Sequence, residues 1–231
     1  MIEEPPKLTI KRPSRRPSPA QIAAFGNVPT GFVADALGSG GVLNKAITPL
    51  APDALPGHVA GPALTADNGP GDIMATLAAL AFVQDGDVLI STFSGYQGSA
   101  SAGDRVVGMA HNGGATGFVS DGPMRDYPGV IDVGMPCWCT GLTPASPYTT
   151  GPGTVGLPIQ IGGCHVETGD MIIADRDGVV VVPFDQLDEI ITRLAQVSEL
   201  EHALDAKVAD GLAIPDAVRE WLESDVVKYV D

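Results

Sequence analysis

Residues 98–126 read GSASAGDRVVGMAHNGGATGFVSDGPMRD. The stretch opens as a loop rich in Gly and Ser, which delivers a helix start at Gly103-Asp104-Arg105-Val106. The pattern predicts that helix over 104–111, stopped by Gly113-Gly114. A strand follows over 116–120, ending in Asp121-Gly122-Pro123-Met124-Arg125-Asp126. Free backbone N–H groups at a helix start, helped by the helix dipole, suit a carboxylate or phosphate. A strand end beside such a helix is where open α/β proteins place ligands. An anion cradle, a guanidinium and two carboxylates thus fall in one neighbourhood.

Outward from this stretch, helices are predicted from Thr30 as N-cap through Leu37, over 72–82 and over 186–209, with a short one after Pro215. Strands are predicted over 58–65, 88–92, 130–133, 136–140, 157–161, 171–174 and 178–182. The last two flank Asp175-Arg176-Asp177-Gly178, a hairpin turn that lacks the remaining ligands of a calcium loop. Helices early and strands late imply an α/β fold with a substantial sheet. No interior linker or repeat divides it, so residues 21–231 read as one domain.

The 231 residues are 44% apolar, 18% charged and 5% aromatic, with 29 Gly and 20 Pro, which argues for an ordered, turn-rich fold. The net charge of −15 disfavours nucleic acid and anionic membrane surfaces as partners. The longest mostly apolar stretch, 74–83, is far below the roughly 20 residues of a membrane span, and no secretory signal is apparent. Cys137, Cys139 and Cys164 form no disulfide framework or metal motif, so a reducing cytoplasm is the expected compartment. His58, His111, His165 and His202 have no ligand spacing.

Charge is unevenly placed. Residues 1–20 hold five basic residues, two acids and five prolines, leaving 8 of the 13 basic residues and 26 of the 28 acids to the rest. This proline-rich basic segment reads as an extended arm, either lying on a neighbouring acidic subunit or without fixed structure.

Taken singly, Asp104 is a dipole-favoured helix start and Arg125-Asp126 a surface turn with a local ion pair. Together, Asp104, twenty residues, then Arg125-Asp126 resembles the D-x20-R-D signature of the RraA-like family. That family contains the 4-hydroxy-4-methyl-2-oxoglutarate / 4-carboxy-4-hydroxy-2-oxoadipate aldolases and the regulator of ribonuclease E activity. VADALG (33–38), AGPALT (60–65), GFVSDG (117–122) and above all GGCHVETGDMIIADRDGVVVVP (162–183) resemble successive blocks of the same family.

The resemblance implies a three-layer β/β/α sandwich of the swivelling-domain type, in homotrimers or homohexamers with sites between subunits. It implies a divalent metal, Mg2+ or Mn2+, with Asp126 as direct ligand and Asp104 reaching it through water. Arg125 would hold the carboxylate and enolate oxygen of a 2-oxo acid, with the backbone of Gly103, Asp104, Arg105 and Val106 around the carboxylate. An acid from the neighbouring subunit is expected on the helix after the last strand, Glu201 before Glu199. Arg105 stands, after Ala102, where the family more often has larger apolar residues. The implied activity is that of a class II pyruvate aldolase with oxaloacetate decarboxylation through the same enolate. The alternative is a protein-binding regulator of the ribonuclease E type, whose acidic surface would meet a basic partner.

Overall fold

From its N-terminus the chain forms β1 (Leu8–Ile10), α1 (Pro19–Ala24), α2 (Thr30–Ala36), β2 (Thr48–Pro49) and the long strand β3 (Val59–Asp67). Three helical crossovers follow: α3 (Met74–Ala79) leads into β4 (Val88–Thr92), α4 (Asp104–Asn112) into β5 (Gly117–Ser120), and α5 (Tyr127–Val133) into β6 (Cys137–Cys139). Then come β7 (Gly153–Val155), β8 (Ile159–Ile161), β9 (Cys164–Val166), β10 (Met171–Ala174) and β11 (Val179–Val182), before α6 (Leu187–Ala209) and α7 (Asp216–Leu222). The structure is a computed structural model and describes residues 6–230.

β3, β4, β5 and β6 lie side by side, each parallel to the next. β4 is buried along its whole length, as expected for a parallel strand covered on both faces. Alternation along these strands separates two cores. Leu89, Phe118, Cys137 and Cys139 pack with Ala75, Val106, Val107, Ala110 and Val130 of the helices. Val88, Ile90, Val119 and Trp138 face the other way, onto Ile159, Ile161, Val166, Ile172, Ala174, Val179 and Val181. The second β layer is made by the antiparallel pairs β8–β9 and β10–β11, with β10 also pairing along the first half of β3. The result is the α/β architecture of two β layers and one helical layer. Each fully buried Leu, Ile or Phe contributes about 1.5–3 kcal/mol, so the two cores carry most of the stability.

Local chemistry fixes the corners. The hairpin over 175–178 forms as predicted, with the Asp175 N–H donating to Gly178 O at 3.0 Å. Trp138 buries its ring and donates Nε1–H to Asp175 O at 2.8 Å. Thr30 is inside α2 rather than its N-cap, a place taken by Pro29. Its N–H and hydroxyl donate instead to the Asp175 carboxylate, 145 residues away. Residues 130–133, predicted as a strand, are the end of α5. Pro128 fits a helix's first turn, and Gly134 closes the helix in a left-handed conformation. Those two signals override the β-branched run.

The arm lies along the chain's own body over its described residues. β1 runs parallel to β7, and Lys11 N–H donates to Val155 O at 2.9 Å. Arg15 reaches Glu167 at 2.8 Å and buried Asp170 at 3.2 Å, and its guanidinium lies 5.1 Å from the Phe184 ring centre. Arg16 pairs with buried Asp87 and donates to Asp85 O. The order arises because both acids are out of water and need a cation to stay charged. Burial, the largest influence, leaves both carboxyls above their ordinary range despite these partners.

The chain divides into two compact units, Met1–Leu194 and Ala195–Asp231. The boundary falls within α6, whose buried residues Leu187, Ile190 and Leu194 belong to the first unit. The second unit holds the rest of α6 and α7, and leaves Leu200, Val208 and Trp221 exposed. No helix among the described residues is long and apolar enough to cross a membrane.

Candidate active site

Adjacent parallel strands β4 and β5 end at Thr92 and Ser120, and the loops leaving those ends build the site. The first loop, 93–103, is shaped by a residue of the second. Asp121 accepts the N–H groups of Phe93 and Gly95 and the hydroxyl of Thr92, while Gln97 donates to Asp121 O at 3.0 Å. The two loops also bond directly: Ser101 N–H donates to Pro123 O at 2.7 Å and Arg125 N–H to Ala102 O at 3.1 Å. This brings Gly103-Asp104, at the start of α4, beside Arg125-Asp126.

Asp126 takes a left-handed backbone (φ +58°) just before α5, and its carboxylate caps no helix N–H. An Asp in this conformation is held at a cost of about 1 kcal/mol or more, of the kind that clusters at functional sites. Its Oδ2 accepts Arg125 Nε–H at 3.1 Å instead. Gly103 makes room for this arrangement, since a Cβ there would meet Asp126 Oδ2 and stand 3.1 Å from Arg125 Cγ. Gly129 does the same for Asp104, whose Oδ2 would be 2.6 Å from a Cβ at that position. Asp104 Oδ1 accepts Arg105 N–H at 2.7 Å, so that amide of the expected cradle is already occupied.

Asp104, Arg105, Arg125 and Asp126 line one small cleft of about 50 Å³, with Ile73 and Pro147 among its apolar walls. A far larger concavity, about 460 Å³, lies at the other end of α4 against His58, Asp85 and His111 and holds no arginine. The small cleft gathers the guanidinium and both carboxylates singled out from the sequence. Its outer wall, residues 142–151, has little regular structure, yet it is stitched in place. Thr143 N–H donates to Met124 O at 2.9 Å, Ala100 N–H to Ala145 O at 2.9 Å, and Tyr148 N–H to Gly71 O at 2.8 Å. Asp72 anchors the far end, accepting N–H from Met74, Thr150 and Gly151 and the Thr150 hydroxyl. Burial pushes its carboxyl up, but these four hydrogen bonds outweigh burial and hold it below the ordinary range. The bracing roles of Asp72 and Asp121, and the whole 142–151 wall, escaped the sequence reading. It had Asp72 only in the first turn of the predicted helix over 72–82, and Asp121 only at the end of the strand over 116–120.

Glu199 and Glu201 lie on α6 within the second unit, Glu201 half-buried and Glu199 exposed. The cysteines are free thiols, and burial pushes those of Cys137, Cys139 and Cys164 up, away from reactive thiolate character. Among the described residues no group of three or more His, Cys, Asp or Glu side chains could hold a metal. The cleft instead offers one pair of carboxylates, Asp104 and Asp126. It is compatible with a hard divalent ion, which binds one or two carboxylates and keeps its other positions for water and substrate.

A doubly covered parallel sheet, with carboxylates and a guanidinium in one cleft at its strand ends, defines an α/β protein. Comparison with known proteins gives the family. The family model "RraA-like: Aldolase/RraA" matches residues 30–181, and this chain belongs to that family. A protein of Halalkalibacterium halodurans named "Putative 4-hydroxy-4-methyl-2-oxoglutarate aldolase" is 34% identical over 202 residues, which span 87% of this chain and 93% of that one. Among solved structures, Streptomyces coelicolor RraAS2, described as an unusual member of the RNase ES inhibitor RraA protein family, is 30% identical. It matches 83% of this chain and all of its own, with a TM-score of 0.74. An uncharacterized protein of Pseudomonas syringae pv. tomato is 26% identical over 86% of this chain and 92% of its own, with a TM-score of 0.75.

Proposed function

We propose that this protein is a divalent-metal-dependent lyase that splits 4-hydroxy-4-methyl-2-oxoglutarate-type 2-oxo acids to pyruvate and decarboxylates oxaloacetate through the same enolate. The observation that carries this is the meeting of Asp104, Arg125 and Asp126 in one cleft at the ends of adjacent parallel strands. The name of the 34% identical relative supports the substrate class.

The Asp126 carboxylate, 42% exposed and bonded at Oδ2 by Arg125, would hold Mg2+ or Mn2+, with Asp104 alongside. Such an ion, when bound, draws electron density from a keto oxygen. Arg125 presents a planar guanidinium with five N–H donors, so it suits both the substrate carboxylate and the oxygen that gains charge. Cleavage breaks the bond between C3 and C4 of the oxo acid. The tertiary hydroxyl loses its proton and its carbon becomes a ketone, and the bonding pair passes to C3 and the 2-oxo oxygen as pyruvate enolate, which is then protonated. For 4-hydroxy-4-methyl-2-oxoglutarate both products are pyruvate. Asp104 is assigned the hydroxyl proton, received across a water; general base help of this kind supplies about 10²–10⁴-fold. Glu201 is assigned as an acid given by a neighbouring copy.

A second copy is invoked because of size. At about 50 Å³ the cleft is well below the roughly 300–1,000 Å³ of ordinary small-molecule pockets. A six-carbon dicarboxylate needs further walls, as a homotrimer or homohexamer would provide. The kinship with the RNase ES inhibitor family supports a second reading, a protein-binding regulator, which requires a salt-sensitive complex with a ribonuclease.

The test is pyruvate release from 4-hydroxy-4-methyl-2-oxoglutarate and from oxaloacetate, with magnesium and then with excess chelator. Turnover that the chelator abolishes and added magnesium restores is expected. No turnover of either acid, or turnover indifferent to chelator, overturns the proposal.

A further inference from the structure

The Arg125 side chain is held at two points. Its Nε–H donates to Asp126 Oδ2 at 3.1 Å, and its Nη1 donates to the hydroxyl of Ser146 at 2.7 Å. Ser146 lies between Ala145, whose carbonyl is bonded by Ala100, and Pro147, which lines the cleft. It therefore stands on an anchored part of the 142–151 wall, tied to the loop that starts α4. Arg125 thus joins three segments at the site: its backbone N–H bonds Ala102 O of the loop after β4, it stands in the loop after β5, and its side chain reaches the outer wall.

The consequence is geometric. A guanidinium on a flexible stem can swing about its last torsions, and a single contact at Nε leaves that swing open. A second contact at Nη1 fixes the plane. Of five N–H bonds, two are then used and three remain, including both on Nη2, the nitrogen not held by the protein. Because the Ser146 hydroxyl accepts from Arg125, its own proton is free to donate at the cleft rim.

We propose that Ser146 is a positioning residue, which fixes the plane of the Arg125 guanidinium so that Nη2 meets the ligand. The inference rests on the reading of Arg125 as the residue that holds the oxo acid. Positioning of this kind acts where charge develops, so its loss should lower kcat more than it raises KM.

The test uses the full chain with Ser146→Ala and Ser146→Thr. Ser146 is exposed, so both variants should melt with the wild type. Ser146→Ala should lower kcat about tenfold, the size of one hydrogen bond to a charged group, with KM within about twofold. Ser146→Thr, which keeps the hydroxyl, should recover most of that loss. Crystal structures of the wild type and Ser146→Ala give a readout that needs no turnover: the guanidinium should hold one orientation in the first and lose it in the second. If the wild type turns over and Ser146→Ala matches it, the inference fails and the lyase reading stands. If the wild type does not turn over at all, the lyase reading fails, and the two structures decide the inference. An Arg125 unmoved by the alanine overturns it.

Discussion

Arg125→Ala is expected to lower pyruvate release by about 10²–10³-fold, the usual loss when a donor aimed at developing negative charge is removed. The fold should be untouched, because the side chain is 34% exposed and its partners Asp126 and Ser146 are themselves on the surface. The effect should fall mainly on kcat, since the guanidinium bonds an enolate oxygen more strongly than a neutral keto oxygen. Arg125→Lys should recover little, because an ammonium cannot keep bonds to Asp126, Ser146 and the ligand in one plane. Near wild-type turnover in the alanine variant would remove Arg125 from the chemistry.

Arg16→Ala is expected to destabilise the protein by about 2–3 kcal/mol at neutral pH, measured by urea unfolding. Removing one partner of a buried pair typically costs about 3–5 kcal/mol, and the estimate is reduced because Arg16 is 31% exposed while Asp87 is 5% exposed. Asp87 keeps the N–H of Gln84 at 2.8 Å but loses its charge partner. The pH dependence has a definite sign. The Asp87 carboxyl is raised in the fold, so its contribution is full below the unfolded value and lost as pH rises through the folded one. Without Arg16 it rises further. The gap between wild type and variant should therefore be widest at neutral pH and narrow on acidification, as Asp87 takes up a proton. A gap that stays constant would show that the Arg16–Asp87 pair does not anchor the arm.

The segment from Gly98 to Asp126 was legible because its signals are local. A glycine-rich loop, an acid at a helix start, an apolar face and an alternating strand each act over a few residues, and α4 and β5 form where they point. The Asp104, Arg125 and Asp126 set was legible for a second reason: it resembles the D-x20-R-D signature of the RraA-like family, here spanned by α4 and β5. Local signals misled where two competed. In Tyr127–Val133 a β-branched run suggested a strand, but Pro128 and Gly134 bracket a helix. Long-range partnerships were out of reach. Nothing near Arg15 marks Asp170 as its partner 155 residues away, and nothing near Thr30 marks Asp175. The same holds for Ser146, which meets Arg125 through a wall without periodicity. The charge of −15 also gave no local information, since Arg125 sits in a cleft while most acids are distributed elsewhere.

The most direct test of the central claim is a crystal structure of the protein soaked with Mn2+ and pyruvate. The account predicts anomalous density for the ion on the Asp126 carboxylate, with the oxo acid bonded by Arg125 in the same cleft. An ion bound away from Asp126, or pyruvate seated only in the larger concavity beside His58 and His111, would contradict it.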